Sequence, residues 1–196
     1  MIADTATVAS RTDPFAHAVA PKLLDAEMAI IVLEWFEEGA PWRLKRASFY
    51  EQYECNLHEA EIPARIAPLI GPAFVSQLAR HMLDPISDAQ LELTEVNAHK
   101  LVGGQTIRVH NDYIGESETH RVLIQLNRGW DDDKGGILML FAGPRAEDVA
   151  RMVRPIHASA TSFEISPASF HAVSTIHDGE RYTLVYSFKR ARPSAG

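Results

Sequence analysis

The sequence predicts an α+β fold in a single domain, and three observations carry that expectation. Apolar residues recur at helical period in the first half of the chain, whereas from Leu91 onward short alternating segments are separated by Gly, Pro and Asp turns. At least seven such segments follow one another, the pattern of a sandwich or jelly-roll barrel with helices packed against one sheet. The length of 196 residues suits one substantial core and is short for two.

Taken in order, residues 1–13 are small and polar and read as a flexible N-terminus. Residues 14–90 read as a mainly helical support. Asp25 is placed to cap a helix that runs to about Glu38, with Met28, Ile31, Val32, Trp35 and Phe36 on one face and Gly39-Ala40-Pro41 ending it. The aromatic stretch from Trp42 to Tyr53 fits a strand or an irregular cover equally well. Ile62 to Leu83 reads as one or two helices, broken near Gly71-Pro72, and Asp84-Pro85 closes the region.

Residues 91–189 form the strand-rich core, and 190–196 a frayed tail. Expected strands run over Leu91–Val96, Thr106–His110, Arg121–Leu126, Ile137–Phe141, Ser162–Ile165, Phe170–Ser174 and Tyr182–Phe188. Gly143 to Arg154 reads as a loop with one helical turn. Internal repeats, low-complexity tracts and linkers are absent.

Composition narrows the partners. Apolar residues at 46% and charged residues at 23% are ordinary for a soluble globular chain. A net charge of −7 argues against nucleic acid as the main partner, because phosphate binding calls for a basic surface. The lone Cys55 forms no intrachain disulfide and fits a reducing compartment; it reads as an incidental buried thiol rather than a nucleophile. No basic segment followed by an apolar run opens the chain, and the longest apolar stretch, Ala29–Leu33, is too short for a bilayer. The expectation is a cytoplasmic protein with no membrane partner. The composition is equally consistent with monomer or dimer.

The chemistry concentrates in Arg108-Val109-His110-Asn111-Asp112 and Ser169-Phe170-His171-Ala172-Val173. Residues i and i+2 on a strand share a face, so His110 and Asp112 project side by side, and His171 arrives from a later strand. Two histidines and one carboxylate leaving open positions on a metal is the arrangement used for non-haem Fe(II) and O2. Arg181, ten residues beyond His171, sits on the next strand. Buried there, it suits a dicarboxylate co-substrate through a bidentate guanidinium fork. The competing reading makes Arg181 an ion-pair partner of Glu164 or Glu180. Asp131-Asp132-Asp133 lacks the spacing of a calcium loop and reads as a solvated turn. Trp130 and Phe170 read as packing residues. His120, His157 and His177, taken singly, read as exposed.

The ordered set resembles the 2-oxoglutarate- and Fe(II)-dependent dioxygenases, in the prolyl-hydroxylase-like branch. The resemblance runs through Gly104-Gln105, His110-Asn111-Asp112, Leu126-Asn127-Arg128-Gly129-Trp130, Gly135-Gly136-Ile137-Leu138, Phe170-His171-Ala172-Val173 and Gly179-Glu180-Arg181-Tyr182-Thr183. It implies a double-stranded β-helix, a jelly-roll or cupin-like barrel, over residues 91–189 with N-terminal supporting helices. It also implies Fe(II), 2-oxoglutarate and O2 as cofactors, with ascorbate as a supporting reductant. By the same resemblance His110, Asp112 and His171 are the metal ligands and catalytic centre, and Arg181 grips the distal carboxylate of 2-oxoglutarate. Gln125 falls where relatives often place a tyrosine that shares this carboxylate, and Thr183 adds a hydroxyl on the same strand face. Relatives also commonly carry a tyrosine near the co-substrate around Lys100-Leu101; Lys100 and Asn97 are the stand-ins here, unless nothing replaces it.

The resemblance implies oxidation of an unactivated C–H bond, with 2-oxoglutarate decarboxylated to succinate. The branch points to an amino-acid residue within a peptide or protein, with a free amino acid or small metabolite as the alternative substrate. The loop Tyr113–His120 is the candidate lid, and Arg108, Asn111, Tyr113 and Glu116 are its candidate substrate contacts. Two rivals from other classes are a non-catalytic metal-binding cupin-like module and a metal-dependent hydrolase or isomerase. Neither has a use for Arg181 at its offset.

Overall fold

The computed structural model describes residues 1–191. In chain order the elements are β1 (Ala9–Arg11), β2 (His17–Ala20), α1 (Ala26–Glu38), β3 (Arg43–Arg46), β4 (Glu51–Asn56), a 3-10 turn (Ala67–Ile70) and α2 (Pro72–Met82). There follow β5 (Leu91–Val102), β6 (Ile107–His110), β7 (His120–Gln125), β8 (Leu138–Phe141), β9 (Val149–Val153), β10 (Ala160–Glu164), β11 (His171–Val173) and β12 (Glu180–Arg190). An eight-stranded sheet has the order β1-β2-β10-β7-β12-β5-β4-β3, and a four-stranded sheet the order β6-β11-β8-β9. All recorded strand pairings between these elements are antiparallel.

Alternation along β12 explains the architecture. Tyr182, Leu184, Tyr186 and Phe188 point to one face of the large sheet, into a core that contains Val32 and Phe36 of α1 and Phe74 and Leu78 of α2. Arg181, Thr183, Val185 and Ser187 point to the other face, toward the small sheet. β5 and β7 alternate in step, because β12 is hydrogen-bonded to both. The second, smaller core lies between the sheets, where Leu101, Leu123 and Val185 meet Leu138, Leu140 and Val173. The large sheet is thus covered by helices on one side and by the small sheet on the other. The result is a double-stranded β-helix with supporting helices.

The helices follow the sequence. The Asp25 side chain accepts the Met28 N–H at 2.8 Å and caps α1, and Gly71-Pro72 starts α2 after the 3-10 turn. The N-terminal half differs from a mainly helical support. Residues 9–11 and 17–20 are strands that extend the large sheet beyond β10, and 43–46 with 51–56 form a hairpin on its other side. These strands are too short for alternation to stand out. The sheet reaches them through β10, which pairs β2, and β5, which pairs β4, both distant in sequence. The stretch after Gly143 likewise holds a 3-10 turn (Ala146–Asp148) and then β9, which pairs with β8. The expected tail lies outside the described residues from 192 onward, whereas Arg190 still pairs with Leu91.

Candidate active site

β6 and β11 are antiparallel neighbours in the small sheet, and His110 and His171 are direct register partners across them. Their ring centroids are 4.2 Å apart. Each ring is oriented from behind. His110 Nδ1 lies 2.8 Å from the Arg108 carbonyl, and His171 Nδ1 2.9 Å from the Ser169 carbonyl. A carbonyl only accepts, so both Nδ1 atoms carry the proton, which leaves both Nε2 lone pairs free. Those Nε2 atoms converge on one carboxylate: His110 Nε2 is 3.3 Å from Asp112 Oδ1, and His171 Nε2 is 3.1 Å from Asp112 Oδ2. The three ligand atoms lie within 4.8 Å of one another. Two neutral imidazoles with backbone-fixed tautomers and one ionised carboxylate fit a divalent first-row metal with open positions.

Asp112 reaches the site by a different route from a shared strand face. β6 ends at His110, and Asp112 sits in the following loop with φ of 55°, in the left-handed region. Aspartate tolerates that region better than most residues, which is how the carboxylate turns back onto the imidazoles. Arg121, on the inner face of β7, donates to Asp112 Oδ2 and holds Glu118 through two bonds of 2.8 Å. The adjacent Arg121 guanidinium keeps the Asp112 carboxyl far below the usual carboxylate range despite the opposing effect of burial. Burial in turn lowers His171.

A cavity of about 300 Å³ runs from this triad to Arg181. Arg181 is 3% exposed and has no carboxylate partner among the described residues. Its Nε donates to the Gly136 carbonyl at 2.9 Å and its Nη1 to Thr183 Oγ1 at 2.7 Å, while Thr183 Oγ1 donates to Gln125 Oε1 at 3.0 Å. Burial alone pushes Arg181 down to about 10. Both expected rivals for it are engaged elsewhere: Glu164 with Arg190, and Glu180 with Lys100 and Tyr182. A buried guanidinium that lacks a counterion fits an anionic ligand.

The lid residues are distributed differently. Arg108 donates to the Ser48 carbonyl, and Asn111 donates to the Pro167 carbonyl at 3.1 Å while accepting the Tyr113 N–H. Tyr113 and Glu116 are exposed, whereas Ile114 and Glu118 of the same loop line the cavity. Lys100 faces away, its ammonium over the rings of Trp42 and Tyr53; Asn97 and His99 face the cavity. His120 is buried rather than exposed, its Nδ1 3.0 Å from Thr119 Oγ1. His177 is exposed and His157 partly so. Arg121 is the functional side chain that motif reading misses. The signal was present, since Arg121, Leu123 and Gln125 alternate onto the face already assigned to Gln125.

A two-histidine, one-carboxylate cluster at the mouth of a double-stranded β-helix, with an uncompensated arginine deeper in the barrel, is the layout of an oxygenase that holds a metal and an anionic co-substrate. Residues 96–189 match the family described as the 2OG-Fe(II) oxygenase superfamily. Over those residues the chain is similar to 2OG-Fe(II) oxygenases, which use Fe(II), 2-oxoglutarate and O2, and His110, Asp112 and His171 all fall within the matched stretch. It is 27% identical over 192 residues to prolyl 3-hydroxylase OGFOD1 of Mus musculus, covering 92% of this chain and 33% of that one. The chain therefore spans about a third of that relative's length. Its fold is shared with a prolyl-4-hydroxylase of Pseudomonas putida (TM-score 0.64, 19% identity, 95% of this chain and 94% of that one). It is also shared with a Trichoplax adhaerens prolyl hydroxylase solved with a hypoxia inducible factor peptide fragment (TM-score 0.72, 16% identity, 89% of this chain and 83% of that one). Among the described residues no helix is long and apolar enough to cross a membrane.

Proposed function

We propose that the protein hydroxylates an amino-acid residue, with a prolyl residue the first candidate, within a peptide or protein substrate. The observation that carries this reading is Arg181, buried with no carboxylate partner among the described residues in the same cavity as the converging imidazoles and carboxylate. That pairing supports one ligand bridging two anchors, with His110, Asp112 and His171 as the metal ligands. Gln125, Thr183 and Arg181 form the linked set that would receive the distal carboxylate of 2-oxoglutarate. The relatives' names supply the prolyl assignment.

When bound, iron, 2-oxoglutarate and O2 together convert a substrate C–H to C–OH while 2-oxoglutarate loses CO2 and becomes succinate. The chain's own share is placement and exclusion. The backbone carbonyls of Arg108 and Ser169 fix the tautomers of the two histidines, so that in the neutral rings Nε2 is the nitrogen free to bind the metal. Arg181 and Thr183 orient the co-substrate along the cavity, and the apolar residues Leu123, Leu138, Phe163 and Val185 limit the water that reaches it. Ile114, 80% exposed on the loop after the metal motif, offers an apolar contact to a docked polypeptide.

The test is anaerobic titration of the protein with Fe(II) and 2-oxoglutarate, followed by the visible charge-transfer band of the chelate. The band is expected in the native protein and absent in His110→Ala. Succinate release coupled to proline-containing peptides, and not to free proline, is expected to follow. Iron binding with no band in the native protein refutes the oxygenase reading, and turnover of free proline alone refutes the polypeptide substrate.

A further inference from the structure

The inner face of the large sheet carries a continuous cross-strand row. Gln125 of β7 is the register partner of Thr183 of β12, Thr183 is that of His99 of β5, and His99 is that of Glu54 of β4. Direct antiparallel partners place their Cβ atoms roughly 4.5–5.5 Å apart on the same face. The first two members of the row are already joined to Arg181 through Thr183 Oγ1. The third is an imidazole that lines the cavity. Its neighbours along β5, Ala98 and Lys100, point to the opposite face, Ala98 into the helical core and Lys100 over Trp42 and Tyr53.

Glu54, the fourth member, is taken up by its own side: Lys45 at 3.0 Å, Gln52 at 2.8 Å and Tyr50 at 3.2 Å donate to it. Glu54 and Asp112 act on His99 through space in one direction, and Arg121 and Arg181 in the other. Burial keeps its ring neutral. A neutral imidazole always carries one N–H, and among the described residues no hydrogen bond uses it. The half-buried ring opens on the cavity, so a ligand bound there can supply the acceptor.

We propose that His99 is a further co-substrate-binding residue, which donates a hydrogen bond to 2-oxoglutarate where it spans the cavity between Arg181 and the metal ligands. This rests on the oxygenase reading above. Arg181 supplies charge and Thr183 a hydroxyl at the distal end. His99, one strand over from Thr183, supplies a neutral donor on the flank.

The test is equilibrium binding of 2-oxoglutarate to Mn(II)-loaded protein by calorimetry, with no turnover required. His99→Ala and His99→Phe, which removes the donor but keeps a ring, are both expected to weaken 2-oxoglutarate binding at least about tenfold, as for loss of a hydrogen bond to a charged group. His99→Gln, with an amide donor, is expected to recover most of that loss. Mn(II) affinity is expected to stay unchanged in all three. Unchanged 2-oxoglutarate affinity in His99→Phe overturns the proposal, as does a His99→Gln variant no better than His99→Ala. A native protein that binds Mn(II) but not 2-oxoglutarate overturns the oxygenase reading itself, and this inference falls with it.

Discussion

Arg121 lies on the large sheet and Asp112 in the loop that follows β6 of the small sheet, yet the Arg121 guanidinium donates to the same Asp112 oxygen that faces His171 Nε2. The carboxylate most exposed to misplacement, because it sits in a loop rather than a strand, is thereby fixed by a side chain from the rigid large sheet. Glu118, at the end of the loop after the metal motif, is drawn into the same cluster.

Removing that guanidinium leaves two mostly buried carboxylates without a cation. Arg121→Gln is expected to destabilise the metal-free protein by about 2–4 kcal/mol, toward the lower end of what breaking a buried pair costs, because the pair keeps some solvent contact. A divalent ion restores positive charge at Asp112. The thermal shift on adding Mn(II) should therefore be larger for the variant than for the native protein. Equal shifts would show that Arg121 does not compensate this carboxylate.

Arg181 should trade stability for binding. Burying an uncompensated charge costs several kcal/mol, while its removal orphans the Gly136 carbonyl at about 1–3 kcal/mol. Arg181→Met is thus expected to stabilise the metal-free protein by about 1 kcal/mol, and to weaken 2-oxoglutarate binding by about a hundredfold or more. Urea unfolding and calorimetry check the two halves separately. A destabilised variant would mean that the Gly136 and Thr183 bonds outweigh the desolvation.

Gly136 holds Arg181 in place by absence. A Cβ there would lie 2.8 Å from Ile176 Cδ1 and 2.9 Å from both Arg181 Cδ and Trp130 Cζ2, at a φ of 64°. Gly136→Ala is expected to cost about 2–3 kcal/mol from overpacking and left-handed strain. Displacing the guanidinium should also weaken 2-oxoglutarate by roughly tenfold, because small misplacements at such anchors are costly. An alanine variant with native affinity would show that the cleft absorbs the shift.

Acid sensitivity should track His120. Burial lowers its folded pKa to about 4, below the ordinary histidine value, so the unfolded chain binds the extra proton first. Its contribution is fully present above about pH 6.5 and is lost as pH falls toward about 4, reaching at most about 3 kcal/mol. Urea midpoints at pH 7.5, 5.5 and 4.5 should fall more steeply for the native protein than for His120→Gln. Parallel slopes would exclude this residue.

Much of the molecule is legible in one dimension because its signals are local. The helix Ala26–Glu38 with its Asp25 cap, the strands after Leu91 and the turns at Gly103-Gly104 and Gly135-Gly136 each depend on neighbours within a few residues. The ligand candidates are legible for a different reason. Metal chemistry restricts residue types severely, so His110, Asp112, His171 and Arg181 in that order stand out against an ordinary background.

What only the tertiary structure decided is everything that depends on which strand lies beside which. β2 and β4 exist as strands because β10 and β5 offer them edges, and β1 and β3 pair onto them in turn. Lys100 and His99 differ by one position, and the pleat of β5 sends one to the aromatic surface and the other into the cavity. Arg121 meets Asp112 only because the two sheets close over each other. Alternation along a strand says that two faces exist; sheet order and register, set by packing between distant segments, decide which face becomes the site.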